Sequence, residues 1–349
     1  MPHPCPDCHS PATSTAAGLD RRKFLRASTA AWVAAAATSS FPWASGLVPA
    51  ASADNAKPVT PDSETLVTTL FHSLSEEQRN LFCLPFEHPR RQDINNAWYI
   101  TKARVAKDLT RDQQQMVREI FLGLHHPEYA QRVLQATEHD AGEKGLGECS
   151  LALFGTPGSG KFEFVLSGRH VTRRCDGDSV QGAAFGGPIF YGHAPLEDEE
   201  TADHPQNVYW YQAKRANEVY QMLDGRQRKL ALLDEHRREQ GKETVRLTGK
   251  KSGLPGIPLG ELTKDQRGQV LKVMHDLLAP FRPQDAREAM KLVEAAGMDS
   301  LHMAFFKSGD IGNDGVWDVW QLEGPSMVWY FRGNPHVHVW VNVRDQAEA

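Results

Sequence analysis

Hydrophobic residues recur along this chain with two periods, and each period predicts a different element. Near the C-terminus, residues 335–343 read P-H-V-H-V-W-V-N-V, an alternation typical of a β-strand. Successive side chains of a strand point to opposite faces, so His336, His338, Trp340 and Asn342 share one face and four valines line the other. The pattern therefore predicts a strand that faces the core and carries a pair of histidines.

A helical period precedes the strands, and it occurs twice. Residues 110–124 and 263–278 are predicted to be helices, and they open on the similar sequences L-T-R-D-Q and L-T-K-D-Q. Thr110 and Thr263 are placed as N-caps, because a threonine hydroxyl can accept a hydrogen bond from the first turn. Each is followed by an aspartate where a negative charge favours a helix N-terminus.

The order of elements after these helices also repeats. A second predicted helix follows in each half, and then two strands joined by a glycine-rich loop; the paired segments are 127–137 with 283–296, 151–154 with 303–306, and 162–168 with 317–324. We predict an α+β fold of two pseudo-repeated helix-helix-β-hairpin halves packed around a shared β core. The first repeat covers about 109–190 and the second about 261–345. An insert and a long helix at 207–240 fill about 191–260.

The N-terminal residues 1–53 have the features of a twin-arginine signal peptide. Arg21 and Arg22 precede an alanine-rich apolar stretch, and Ala-Ser-Ala at 51–53 fits a cleavage site. Serines, a proline and a glycine interrupt the stretch, which argues against a membrane anchor. We therefore expect export by the twin-arginine machinery to the periplasm or the cell exterior, with 54–349 as a single mature domain.

Composition narrows the classes of partner. Without residues 1–53 the chain has 35 basic and 42 acidic residues and a net charge of −7, which argues against nucleic acid as a partner. Cys83, Cys149 and Cys175 would remain, an odd and widely spaced set that does not form a disulfide framework. Whether Cys149 and Cys175 form one bridge is left open.

Three motifs resemble known sites but fit them poorly. Cys5 and Cys8 belong to a C-x-x-C-H sequence like that of haem attachment, but they lie in the segment expected to be cleaved. Residues 155–161 resemble a phosphate-binding loop, yet Phe162 replaces the required serine or threonine and begins a strand pattern, so we predict a hairpin loop. The acidic run at 196–200 lacks the spacing of a calcium loop.

The histidine pair is the strongest functional signal. Imidazoles on one strand face can converge on a transition metal such as copper, zinc or iron. As further ligands we predict His170 first and His193 second. A hydrogen-bonded structural pair and acid-base chemistry without metal remain alternatives for His336 and His338.

Other residues are candidates for catalytic roles. Arg332 is predicted to hold an anionic group of a substrate or to pair with an acid, and Glu323 and Tyr191 are candidate proton carriers.

Several of these segments resemble a bacterial family catalogued as domain of unknown function 3500 (DUF3500), many members of which carry twin-arginine signals. The resemblance rests on the two L-T-x-x-Q helix starts and on the segments L-F-G-T-P at 153–157, L-S-G-R-H at 166–170, F-Y-G-H at 190–193 and W-Y-F-R-G-N-P-H-V-H at 329–338. Many members have a second histidine where this chain has Arg169. The family label implies no activity.

The sequence therefore leads to a hypothesis at the level of a reaction class. We expect an exported metal-dependent enzyme, with oxidoreductase chemistry ahead of hydrolysis, acting on a small molecule or carbohydrate. The rival is a non-catalytic periplasmic protein that binds a small ligand or carbohydrate, with a structural metal or none.

Overall fold

The computed structural model describes residues 62–194, 208–310, 316–345 and 347. The predicted signal peptide, with Cys5 and Cys8, and the acidic run at 196–200 lie outside these residues.

The described residues contain nine α-helices. They are α1 Ser63–Ser73, α2 Glu76–Phe82, α3 Val105–Asp108, α4 Arg111–Gly123, α5 Pro127–Ala141, α6 Trp210–Met222, α7 Gly225–Ala231, α8 Lys264–Leu278 and α9 Pro283–Ala296. Both predicted threonine caps are confirmed: Thr110 and Thr263 each form a capping box with the glutamine three residues later. Polar side chains thus satisfy the amides that a helix start leaves without partners.

The same glutamines tie neighbouring helices together. The side-chain amides of Gln78 and Gln113 donate to each other's oxygens at 2.8 and 3.0 Å. Gln227 and Gln266 form the same reciprocal pair between α7 and α8, also at 2.8 and 3.0 Å. These residues therefore cap a helix and join it to another.

One large, mostly antiparallel sheet carries the strands. They are β1 Cys83–Leu84, β2 Ser150–Gly155, β3 Phe162–Gly168, β4 Val171–Cys175, β5 Ile189–His193, β6 Leu232–Leu233, β7 Ile257–Pro258, β8 His302–Phe306, β9 Val319–Glu323, β10 Met327–Arg332 and β11 Val337–Val343. Their order is β1-β2-β3-β4-β5-β11-β10-β9-β8-β6, with β7 paired to β8. The predicted α+β class is confirmed, and residues 155–161 join β2 and β3 as the predicted hairpin loop.

The two faces of the sheet are covered differently. Val339 and Val341 of β11 belong to the main hydrophobic core, which includes the helices. On the opposite face, Trp340 packs in a second cluster with Phe190 and with Val245. The alternation in β11 therefore separates a helix-covered face from a face covered by irregular segments.

The structure has two shorter helices where the sequence predicts one long helix at 207–240. Helix α6 ends at Met222, and Asp224 starts α7 by accepting hydrogen bonds from the amides of Arg226 and Gln227 at 2.8 Å. Leu232 and Leu233 then pair in parallel with β8, and residues 234–240 are not helical. An N-cap aspartate followed by glycine ends one helix and starts another, which the hydrophobic stripe alone does not reveal.

Two further expectations concern the thiols and the membrane. The three cysteines of the described residues are free, and Cys149 and Cys175 are buried and form no disulfide. Within the described part of the chain, every helix is too short or too polar to cross a membrane.

Candidate metal centre

Three histidines from different parts of the sheet converge on one point. His170 lies in the turn between β3 and β4, His336 immediately precedes β11, and His338 is the second residue of β11. Because β5 joins β4 to β11, the turn that holds His170 lies close to the start of β11. The sheet topology therefore unites residues more than 160 positions apart.

The backbone of His170 has an unusual conformation. Its φ is +56°, in the left-handed region that few residues other than glycine adopt. Its amide donates to the carbonyl of Asn96 at 2.8 Å, which holds the turn. Such a conformation costs about 1–3 kcal/mol, and residues of this kind cluster at functional sites.

The imidazole Nε2 atoms form a nearly equilateral triangle. The separations are 3.1 Å between His170 and His336, 3.0 Å between His336 and His338, and 3.1 Å between His170 and His338. All three residues are buried, with 6% exposure at most. In the described part of the chain, these three residues form one of two groups whose ligand atoms lie within 4.8 Å of one another.

Two carboxylates, one buried and one partly exposed, determine which nitrogens carry protons. Asp140 Oδ2 lies 3.1 Å from His170 Nδ1, and Glu239 Oε2 lies 2.7 Å from His338 Nδ1. A carboxylate accepts, so both Nδ1 atoms carry hydrogen and both Nε2 atoms present lone pairs to the triangle. A guanidinium nitrogen of Arg332 also contacts His338 Nδ1, but the same nitrogen can donate to Glu239 Oε2 at 3.3 Å instead. We therefore assign the Nδ1 proton to the hydrogen bond with the charged acceptor on Glu239.

Hydrogen bonds between the three rings do not satisfy all three edges of the triangle at once. With neutral imidazoles, the contact between His170 and His338 brings two lone pairs together at 3.1 Å with no proton between them. A proton on His336 Nε2 can satisfy one edge of the triangle well, but the triangle has three similar edges. A single cation bound by all three nitrogens removes the repulsion, because each lone pair then points at positive charge.

The surrounding charges also favour a cation. Burial by itself would raise the pKa of Glu239, but His338 and Arg332 outweigh it and hold that pKa well below its usual value. Burial acts the same way on Asp140, and hydrogen bonds from His170 and His193 hold its pKa low. Both carboxylates are therefore ionised, and Arg332 cancels one of the two charges. The shell has a net negative charge that a divalent ion would offset.

The triangle has the right size for a first-row transition metal. An ion about 2.0–2.1 Å from each nitrogen would lie about 1 Å outside the plane of the triangle, with angles between ligands of about 95°. Three imidazoles then occupy one side of the ion. Structural zinc sites usually have four protein ligands, whereas catalytic sites have three and keep a position for water or substrate.

Of the three predicted catalytic residues, Arg332 lies at this site, whereas Glu323 and Tyr191 lie elsewhere. Arg332 is in contact with it: Nε donates to Glu239 Oε1 at 2.6 Å, so its guanidinium pairs with an acid. Glu323 lies at the other end of β9, about 13 Å along the strands from the level of His338, and pairs with Arg237. Tyr191 faces the helix-covered core, and its hydroxyl donates to Gln212 at 3.0 Å.

His193 lies next to the triangle without joining it. Its Nδ1 is 3.2 Å from Asp140 Oδ2, the same oxygen that accepts from His170. The three-histidine group within 4.8 Å does not include it; instead it belongs to a second group, with His139 and Asp140. Three of the four predicted ligands therefore converge, and the fourth shares a carboxylate with one of them.

The supporting carboxylates are the residues that sequence reasoning missed. Asp140 lies in the last turn of α5, where a charged residue is normally exposed. Glu239 lies in the segment predicted to be helical, which instead crosses the sheet. Neither has a sequence signal, because each reaches its imidazole only through tertiary packing.

A family model described as "Protein of unknown function (DUF3500)" matches residues 57–347. The chain belongs to the DUF3500 family. The match spans the whole region that supplies the three histidines and both carboxylates, so the centre lies within the DUF3500 domain. No curated protein and no solved structure matches the chain.

Proposed function

We propose that this DUF3500 protein is an exported, metal-dependent enzyme whose centre is formed by His170, His336 and His338. One observation carries the proposal: three buried Nε2 atoms lie 3.0–3.1 Å apart, and two of them are oriented by ionised carboxylates. Histidines that bind a metal through one ring nitrogen commonly donate the other N–H to a carboxylate, which fixes the tautomer and the orientation of the ring.

Three protein ligands favour catalysis over a purely structural role. A doubly charged ion held by neutral imidazoles keeps its full charge, so it can polarise a bound substrate or water. The ligand chemistry suits copper, zinc or iron, since imidazole binds all three. For the substrate we propose the class expected from the sequence, a small molecule or a carbohydrate.

Oxidoreductase chemistry ranks ahead of hydrolysis for a reason of proton transfer. A hydrolytic metal centre commonly uses a nearby carboxylate as general base. Of the described residues, Asp140 and Glu239 are the carboxylates that contact the three histidines; both accept from imidazole Nδ1 atoms, and Glu239 also accepts from Arg332. Neither is positioned to take a proton from a metal-bound water. The rival, a non-catalytic ligand-binding protein, would need a closed coordination shell or no metal.

The deciding experiment is elemental analysis of metal-replete, purified protein. We expect about one transition-metal ion per chain at the triangle, and its loss in the double variant His336→Ala/His338→Ala. A matched control is His72→Ala/His275→Ala, which removes two exposed helical histidines. Copper or iron would support redox chemistry, whereas zinc would favour hydrolysis because zinc has no redox chemistry. Equal metal content in both double variants and wild type would refute the centre.

Export is the second part of the proposal, and its support is Arg21-Arg22 and the 51–53 cleavage pattern. The variant Arg21→Lys/Arg22→Lys should accumulate inside cells as unprocessed chain, measured by cell fractionation and the N-terminal sequence. Equal export of the variant and wild type would contradict a twin-arginine route.

An internal duplication is the third part, and its support lies in the matched elements. Helices α2 and α4 each begin with a capping box and are linked by a glutamine pair, and the same holds for α7 and α8. The sheet order runs inward from β1 through β5 on one side and from β6 through β11 on the other, and each edge strand is parallel to its neighbour. In this view the metal centre lies at the junction of the halves, where β5 meets β11.

A further inference from the structure

Asp140 contacts more imidazoles than the three-histidine centre requires. Its Oδ2 lies 3.1 Å from His170 Nδ1 and 3.2 Å from His193 Nδ1. Its Oδ1 accepts from the amide of Ala194 at 3.1 Å and lies 3.6 Å from His139 Nδ1. Only His170 belongs to the triangle, so two imidazoles around this carboxylate have no role there.

The imidazole of His193 is not satisfied by Asp140 alone. Its Nδ1 lies 3.2 Å from Asp140 Oδ2, while its Nε2 is inaccessible to solvent and makes no hydrogen bond with the described residues. A proton on Nδ1 therefore leaves Nε2 as a buried acceptor without a donor, which costs about 1–3 kcal/mol. Nδ1 is the nitrogen that can share an ion with Asp140, because two ligands about 2.0–2.1 Å from one ion lie at most about 4.2 Å apart and Nε2 is on the far side of the ring. The ion would take the place of the Nδ1 proton.

His139 completes a second set of donors. Its ring lies 5.5 Å from that of His193, centroid to centroid. One ligand atom from each of His139, Asp140 and His193 lies within 4.8 Å of the other two. The side chain of His139 is 30% exposed, so an ion can reach this set of donors from solvent.

We propose that His139, Asp140 and His193 form a second metal site, separate from the three-histidine centre. Two imidazoles and one carboxylate are a donor set that binds zinc and other divalent transition metals. A carboxylate has lone pairs on both oxygens, so Asp140 can bind this ion and still accept from His170. Asp140 therefore connects the two sites through the imidazole of His170. The second ion is held closer to solvent, so it binds more weakly and exchanges faster.

The test is zinc titration of metal-free protein by calorimetry, with zinc content measured after removal of excess ion. Wild type should bind two zinc ions per chain. His139→Ala and His193→Gln should each bind one, with the affinity of the remaining ion within about threefold of its wild-type value. The control His275→Ala removes an exposed histidine from the last turn of α8, just as His139 lies in the last turn of α5, and it should bind two.

The outcomes separate this site from the three-histidine centre. If wild type and His139→Ala bind the same number of ions with the same affinities, the second site is wrong. If His336→Ala/His338→Ala keeps one ion that the further change His139→Ala removes, both sites are supported. An ion lost only in the His139 and His193 variants would instead refute the three-histidine centre and support the second site. His139→Ala is at a partly exposed position, so it keeps the test valid should His193→Gln fail to fold.

Discussion

Replacement of Glu239 by glutamine tests whether the carboxylates support the metal centre. Glu239 accepts from His338 Nδ1 at 2.7 Å and pairs with Arg332, yet it does not lie among the three Nε2 donors. Glutamine keeps the size of the side chain and an oxygen that can accept a hydrogen bond, but it removes the negative charge. The change therefore isolates the electrostatic part of the support.

The expected loss of metal affinity follows from the distance between the ion and the carboxylate. An ion bound to Nε2 lies about 6–7 Å from the carboxylate oxygen across the ring, so a divalent ion and the carboxylate attract by about 5 kcal/mol at an effective dielectric constant of about 20. Arg332 lies against the same carboxylate and cancels much of this attraction. We therefore expect a net loss of about 1.4–2.7 kcal/mol, or about 10–100-fold in metal affinity, as is usual when a carboxylate that supports a metal-binding histidine is changed.

The assay is competition of zinc between the protein and a chelator of known affinity. Glu239→Gln should raise Kd by about 10–100-fold, while His338→Ala should abolish binding at the triangle. The control Glu243→Gln changes an exposed glutamate in the same chain segment, which pairs only loosely with Arg246 at 3.7 Å. A Kd for Glu239→Gln within about twofold of wild type would refute the role of this carboxylate.

Three further predictions concern stability, each measured by urea unfolding of the metal-free protein. Burial raises the pKa of Asp176 to about 6, so the contribution of its protonated form to the free energy of unfolding is present below about pH 4 and is lost as pH rises through 6. Asp176→Asn should therefore reduce the fall in the free energy of unfolding between pH 4 and 8 by up to about 3 kcal/mol, and an unchanged fall would contradict this. Thr263→Ala removes the hydroxyl that accepts from Gln266 and should cost about 1 kcal/mol, whereas no loss would show that the cap is dispensable. Phe190→Ala should cost about 3–5 kcal/mol, because this fully buried ring packs on His338 and Trp340; a cost under about 1 kcal/mol would mean that the cluster refills the space.

Much of the fold could be predicted because the relevant signals are local. Capping boxes at Thr110 and Thr263 need four consecutive residues, and the strand β11 follows from strict alternation. The hairpin at 155–161 follows from glycine and proline between two alternating runs. The prediction of one long helix at 207–240 is wrong, because a continuous apolar stripe does not reveal that Asp224 caps the start of a new helix.

The candidate site could be predicted only in part. His336 and His338 stand two residues apart in the sequence, so their proximity needs only a strand. His170 was proposed from its place on a corresponding strand, and the sheet order brings it within 3.1 Å of both. Residue type alone makes Glu323 and Tyr191 candidates, but strand register places Glu323 far along the sheet and Tyr191 on the opposite face.

The sequence alone determined the elements, the histidine pair and the export signal that it predicts, because each depends on residues close together in the chain. Only the tertiary structure decided which side chains complete the centre. Asp140 ends a helix and Glu239 lies in an irregular crossing segment, and both reach imidazoles more than 29 positions away. Burial then makes these contacts strong, since a carboxylate removed from water must be compensated by the groups that it meets.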